Sequence, residues 1–161
     1  MGAPLKLDGL GKTAAAGTSR VENREKFLSF YASEAITKGD LVALDFSASE
    51  PTNGYGNHIL ICDTDDALNQ HGIGVAVEAI ASGAVGTVQV AGMCDFAKSD
   101  VSATVNGVLL GAGADAGLLD IYTTDAAQGS GGDTLPVAIS ITEYSDDTAA
   151  SVVFLLNPAN L

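Results

Sequence analysis

An all-β fold is expected from this chain: a compact β-sandwich, small barrel or β-tulip with an extended N-terminal arm. Three observations lead there. The 161 residues include 19 glycines and no tryptophan, and 47% of them are hydrophobic. Apolar runs are short, rich in Val, Ile and Ala, and are cut by Gly, Asp and Ser at intervals suited to all-β architecture. The first 26 residues, in contrast, show no sustained apolar period. The division expected is therefore an arm over 1–26 and a β-rich body over 27–161.

In the arm, Leu5, Leu7 and Leu10 suit one side of an extended chain or one helical turn, and Gly9 and Gly11 weaken the helix. Segments of this kind are poorly ordered alone and order on a partner. Gly9-Leu10-Gly11-Lys12-Thr13 ends like a phosphate-binding loop. The full motif needs a glycine where Lys6 stands and a buried strand before it, so phosphate binding is not expected. Lys6, Asp8 and Lys12 interrupt any apolar core of a signal peptide, and synthesis in the cytoplasm is the expectation.

The body opens with a strand over Phe27–Ala32. A polar turn over Ala35–Asp40 follows, with Gly39 and Asp40 suited to it. Leu41–Phe46 reads as a second strand, apolar enough to be buried, and Ser47–Asn57 as a surface loop. His58–Cys62 is a third strand. The most ordered stretch runs from His71 to Gly92. Gly74–Val77 and Val85–Val90 form a pair of short strands there, joined through a turn at Ser82-Gly83, and Glu78 is the only charge. Met93–Val101 reads as a connection carrying Lys98. Asn106-Gly107 is a hairpin-turn dipeptide, Gly111–Gly117 a loop of small residues, and Leu118–Tyr122 a strand. After a Gly-rich loop over Ala126–Thr134, Pro136–Thr142 alternates well. Ser151–Leu156 is the last strand.

Charge is unevenly placed. Lys6, Lys12, Arg20, Arg24 and Lys26 face three acids within the first 26 residues, whereas the rest holds Lys38 and Lys98 against seventeen acids. The chain carries −13 overall. An acidic body repels nucleic acid, and no aromatic–basic interleaving offers stacking to single strands. No apolar run reaches the ~18–20 residues of a membrane span. Neither nucleic acid nor membrane is an expected partner. The basic arm suits docking onto an acidic or polar protein surface.

Catalytic and metal chemistry lacks its usual patterns. His58 and His71 are the only histidines, and no serine stands in a nucleophile-elbow context. His58, Cys62, His71 and Cys94 would make four zinc ligands, but without paired spacing. Asp63 and Asp65 begin like a calcium loop, yet Leu68 stands where its glycine belongs. Cys62 and Cys94 each lie in or beside an apolar run and read as buried thiols. No catalytic residue, cofactor or metal is expected.

Two blocks carry a resemblance. The first is Ile36, Gly39, Asp40, Leu41, Val42, Ala43 and Leu44, spaced I-x-x-G-D-L-V-A-L. The second is Gly74, Val75, Ala76, Ile80, Gly83, Gly86, Val88, Val90 and Gly92, spaced G-V-A-x-x-x-I-x-x-G-x-x-G-x-V-x-V-x-G, and a late apolar strand follows at Val152–Leu156. In this order the blocks resemble the capsid decoration, or cement, proteins of tailed bacteriophages. The resemblance implies a non-enzymatic virion protein on the outer surface of an icosahedral head. Its implied partners are the major capsid protein and further copies of itself, a trimer being favoured. The arm residues expected to meet the capsid are Leu5, Leu7, Leu10, Lys12, Arg20 and Arg24. The alternative is a phage fibre or head-spike module binding a host glycan, for which Tyr55 in a Gly-rich loop is the one hint.

Overall fold

A computed structural model of the chain describes residues 25–46, 56–63, 71–100, 106–122, 135–141 and 150–156. These residues hold nine strands and no helix, so the all-β expectation stands. The strands are β1 (Lys26–Ala32), β2 (Leu41–Leu44), β3 (His58–Ile61), β4 (Gly72–Ala76), β5 (Val85–Lys98), β6 (Leu109–Ala112), β7 (Leu119–Ile121), β8 (Ala138–Ser140) and β9 (Ala150–Leu155). Of the arm expected over 1–26, residues 1–24 lie outside these limits, and Lys26 opens β1.

Five strands close into a barrel in the order β1-β3-β2-β4-β5, with β5 returning to β1. Only the β1–β3 pairing in this ring is parallel, through Tyr31↔His58 and Ala32↔Ile59. The second half of β5 leaves the ring and opens a second sheet, β5-β9-β8-β6-β7. Here the sequence reading needs correction. Met93–Lys98, expected as a connection, is the continuation of β5, and part of the expected small-residue loop, Gly111–Ala112, lies in β6. Small residues favour loops by composition, but here they are strand positions that must fit beneath a packed neighbour.

The exchange of partners takes place at Gly92. Ala91 is the last β5 residue paired with β1, and Gly92 the first paired with β9. Gly92 has φ +91°, in the left-handed region that a side chain resists. Gln89, 1% exposed, braces the bend: its side-chain amide donates to the carbonyl of Met93 at 2.7 Å and to that of Ala91 at 3.3 Å. A buried amide is tolerated because its N–H groups are taken up by these two carbonyls.

Strand alternation then divides the apolar residues between two cores. Val42 and Ile59 point into the barrel with Phe30, Ile80, Val88 and Val90. Leu41 and Ala43 of β2, Leu60 and Cys62 about β3, and Val75 of β4 point outward, under Cys94, Leu110, Leu119, Val153 and Leu155 of the second sheet. β2 and β3 are thus covered on both faces, which is why their sequences read as unbroken apolar runs. A backbone triangle ties the layers. Leu41 N–H donates to Gly117 O at 2.7 Å, Gly117 N–H to Cys62 O at 2.8 Å, and Cys62 N–H to Leu41 O at 2.9 Å.

The ring is built from a repeated unit that the sequence reading did not notice. Glu34-Ala35-Ile36-Thr37-Lys38-Gly39 and Glu78-Ala79-Ile80-Ala81-Ser82-Gly83 share the pattern E-A-I-x-x-G. Ile36 and Ile80 form an isolated bridge, each N–H donating to the other's carbonyl at 2.9 Å. Around it the hydrogen bonds come in matched pairs. Gly39 N–H donates to Ala76 O at 2.9 Å, and Gly83 N–H to Ala32 O at 2.7 Å. Ala76 N–H donates to Asp40 O at 3.0 Å, and Ala32 N–H to Ala84 O at 2.9 Å. Gly39 and Gly83 both have positive φ, +91° and +76°. The register Tyr31↔Val85 in β1–β5 is matched by Val75↔Leu41 in β4–β2. This is the pattern of a local two-fold.

The two copies differ in what lies outside them. Leu41 is fully covered by the second sheet, whereas its counterpart Val85 is 55% exposed. Leu41→Ala is therefore expected to cost about 2–5 kcal/mol, and Val85→Ala less than about 1 kcal/mol. Denaturant titration of both variants checks this, and equal losses would contradict the assignment of the two faces.

Candidate functional site

The turn before β2 is fixed from three directions. Asp40, 6% exposed, accepts from the Thr37 backbone N–H at 2.7 Å and from the Thr37 hydroxyl at 2.9 Å. Lys98, in the last position of β5, donates to the Asp40 carboxylate at 2.6 Å and also to the Thr37 hydroxyl. The Lys98 backbone N–H donates to Gly39 O at 2.9 Å. A side chain at Gly39 would start only 2.4 Å from the Phe96 carbonyl, so this glycine answers both to its φ and to the close approach of β5. The charged pair is part-buried and hydrogen-bonded throughout, the condition under which a carboxylate is tolerated away from water.

Locking the turn onto β5 places Lys38 above Phe96, its ammonium 5.1 Å from the ring centroid. Cations sit favourably over an aromatic face. Lys38, Asp95, Phe96, Lys98 and Ala150 line a depression of about 400 Å3. Asp95 and Phe96 also line a second depression, of about 390 Å3, with Phe27, Met93 and Val152. The two share Asp95 and Phe96. One carries Lys38 and Lys98 beside Asp95, the other Phe27, Met93 and Val152 beside Glu25, and together they are the candidate functional site. Phe27 there is 46% exposed.

The sequence reading named Lys38 and Lys98 as the only cations of the body but did not place them together. The missing signal was the course of β5: read as a connection, the stretch gave no reason for Lys98 to reach the turn at Gly39. Phe96 was not singled out at all. The expected capsid-contacting residues Leu5, Leu7, Leu10, Lys12, Arg20 and Arg24 lie outside the described residues, as do Tyr55, Asp65 and the Gly9–Thr13 loop. His58 opens β3 and stacks on Tyr31, with ring centroids 5.5 Å apart and planes at 22°. His71 is exposed just before β4. Among the described residues no three His, Cys, Asp or Glu side chains gather as metal ligands. Among them, too, no helix is long and apolar enough to cross a membrane.

Cys62 and Cys94 are buried in the core between the barrel and the second sheet, and neither is disulfide-bonded. Burial, with Asp63 adding to it, pushes the Cys62 thiol up to about 12 from an ordinary 9.0. Burial likewise raises Cys94 to about 11, with backbone hydrogen bonds at Phe96 and Ala97 opposing and the charges of Asp95 and Glu25 assisting. The unfolded chain loses these protons near pH 9, and the folded chain keeps them to higher pH. The stability contributed by protonated thiols is thus fully present below pH 9 and is lost as pH rises through about 11 and 12. The guanidinium midpoint is expected to fall above pH 9, and Cys62→Val to remove part of that fall. A wild-type and variant titration with equal slopes would refute this.

A scan against protein-family models finds no match to the chain, and a search of curated proteins finds no relative.

Proposed function

We propose that this chain is a capsid decoration protein of a tailed bacteriophage. In this reading it binds the outer surface of an icosahedral head as a homo-oligomer, a trimer being favoured. It strengthens contacts between major capsid protein subunits without catalysing a reaction. The observation that carries the reading is where the resemblance falls. Its two blocks, from Ile36 to Leu44 and from Gly74 to Gly92, make up β2, β4, the barrel half of β5 and the bridged turns between them. They fall on three of the five ring strands and on both bridged turns, not on residues scattered over loops. The outer β1–β5 face of that ring leaves Phe27 and Val85 exposed, 46% and 55%. Apolar side chains held on a rigid strand face suit a protein partner.

The physics of such a role is linkage. A protein that binds the assembled lattice, and not its separated subunits, stabilises the lattice by the free energy of that binding. Several copies joined in one oligomer bind with avidity even where each contact is weak. A basic arm ahead of an acidic body supplies a second contact of opposite charge.

Two measurements test the reading. Quantitative mass spectrometry of gradient-purified particles gives the copy number of this chain against the major capsid protein. Near-stoichiometric copies are expected. A handful per particle would favour the fibre or head-spike reading, and absence from particles would overturn both. Deletion of residues 1–24 is expected to leave the body folded and to lower occupancy at least about tenfold, a loss of roughly 1.4 kcal/mol or more. Unchanged occupancy would remove the arm from the interface.

A further inference from the structure

We propose that the outer face of the second sheet, along Met93, Phe154, Ile139 and Leu109, seats a second copy of this chain. The observation behind it is that the second sheet repeats the barrel strand for strand. The proposal deepens the decoration reading, on which it rests for the expectation that copies associate, by naming the surface through which they do so.

The second sheet also closes. Ser99, directly after β5, forms a parallel bridge with Leu119 of β7, and Asp100 N–H donates to Leu119 O at 2.8 Å. Counted in chain order, the strands of each ring run first, third, second, fourth, fifth and back to the first, and β5 is the fifth of one ring and the first of the other. The first–third pairing is parallel in both rings, and the other four are antiparallel. The registers agree as well. Ala32↔Ile59 corresponds to Ser99↔Leu119, and Leu44↔Ile59 to Ala112↔Leu119. Leu41↔Val75 corresponds to Leu109↔Ile139, Val75↔Gln89 to Ile139↔Phe154, and Phe27↔Gln89 to Met93↔Phe154. The bonds outside the ladders follow suit. Gly39 N–H donates to Ala76 O at 2.9 Å and Gly107 N–H to Ser140 O at 2.7 Å, and both glycines have positive φ. Cys62 N–H donates to Leu41 O at 2.9 Å and Tyr122 N–H to Leu109 O at 2.8 Å. One unit is thus used twice in the chain.

The two units differ in what covers one face. In the first, the outward row Leu41, Val75 and Gln89 is at most 1% exposed, and Leu41 and Val75 pack against Leu110, Leu119, Val153 and Leu155 of the second unit. The same row in the second unit is Leu109, Ile139 and Phe154, and Met93 lies next along it. These residues alternate with the inward Leu110, Ala138, Leu155 and Cys94, so they point away from the core. Leu109 is 41% exposed, and Met93, Ile139 and Phe154 are half-buried. The row carries no charge, and a stack of like units ordinarily ends on a polar face. Within the chain, the occupant of this face is a further unit of the same fold. By the same rule the row on the second unit takes a further such unit, which a second copy of the chain brings. Charge agrees with that occupant. Beyond Lys26 the chain has two cations and seventeen acids, and two bodies so acidic meet with least repulsion across an uncharged surface.

Sedimentation of the full-length protein over a range of concentrations tests this. Wild type is expected to associate, and Leu109→Glu to raise the dissociation constant at least about tenfold. Thermal melting checks that the variant folds. Where it does not, Leu109→Thr is read in its place, since it keeps a strand-forming residue and removes apolar surface. A wild type that is monomeric at about 100 μM, or equal association of wild type and a folded variant, would overturn the proposal. Equal association with lowered occupancy of particles would give the face to the capsid instead. A monomer whose melting midpoint falls with Leu109→Glu only while residues 1–24 are present would give it to the chain's own arm. Failure of the decoration reading looks different: it would leave the sedimentation result intact and the wild-type chain absent from particles.

Discussion

The buried amide of Gln89 donates to the carbonyls on either side of Gly92, and this brace lets one strand serve two sheets. An apolar residue in its place would lose both bonds, at about 0.5–1.5 kcal/mol for each. With it, β5 closes the ring against β1 and β4 and then crosses to β9 without a loop. The rest of the architecture depends on that crossing. It sets the second sheet over Leu41, Leu60 and Val75 and brings Phe96 and Lys98 beside the turn at Gly39.

The repeat shows how one backbone unit serves two environments. Both copies place an isoleucine at the central backbone bridge, its side chain in the barrel core, and a glycine of positive φ three residues later. They differ where the surroundings differ. In the first copy the turn lies under β5, and Asp40 meets Lys98 there; in the second, Ala84 occupies the same place with no counter-ion to satisfy. Outward from the strands, Leu41 is sealed beneath the second sheet and Val85 faces outward. The backbone pattern is thus fixed by the local two-fold, and the side chains record what each copy touches.

Much of the fold was legible in the sequence, for a physical reason. Short apolar runs and turn residues are local signals, and they located the strands at Phe27, Leu41, His58, Gly74, Val85, Leu118, Pro136 and Ser151. The unbroken apolar run of β2 marked burial, although not that the run feeds two different cores. What was not legible is non-local. Nothing near Gly92 announces that the chain continues as strand, because Gly and small residues favour a turn until Gln89 and β9 are in place. The candidate site was hidden by the same error, since its residues come from the turn after β1 and from the part of β5 read as a connection. The repeated E-A-I-x-x-G, in contrast, was present in the sequence as an identity and needed only a self-comparison.

The turn that carries Lys38 is held from several sides. A lysine on an exposed turn ordinarily loses side-chain entropy on binding and contributes little. Here the turn is not an ordinary one. Gly39 is pressed against the Phe96 carbonyl, Asp40 is anchored by Lys98, and the Lys38 ammonium already lies over the ring. Part of the conformational freedom of this turn and of the Lys38 side chain is therefore already spent in the folded chain. The cost falls on the fold, which carries a part-buried ion pair where its repeat counterpart carries alanine. Such a pair contributes little net stability over an apolar replacement. The two copies of the turn thus differ in the charge they carry: the first holds an ion pair because the end of β5 passes against it, and the second holds none because its place is filled by Ala84.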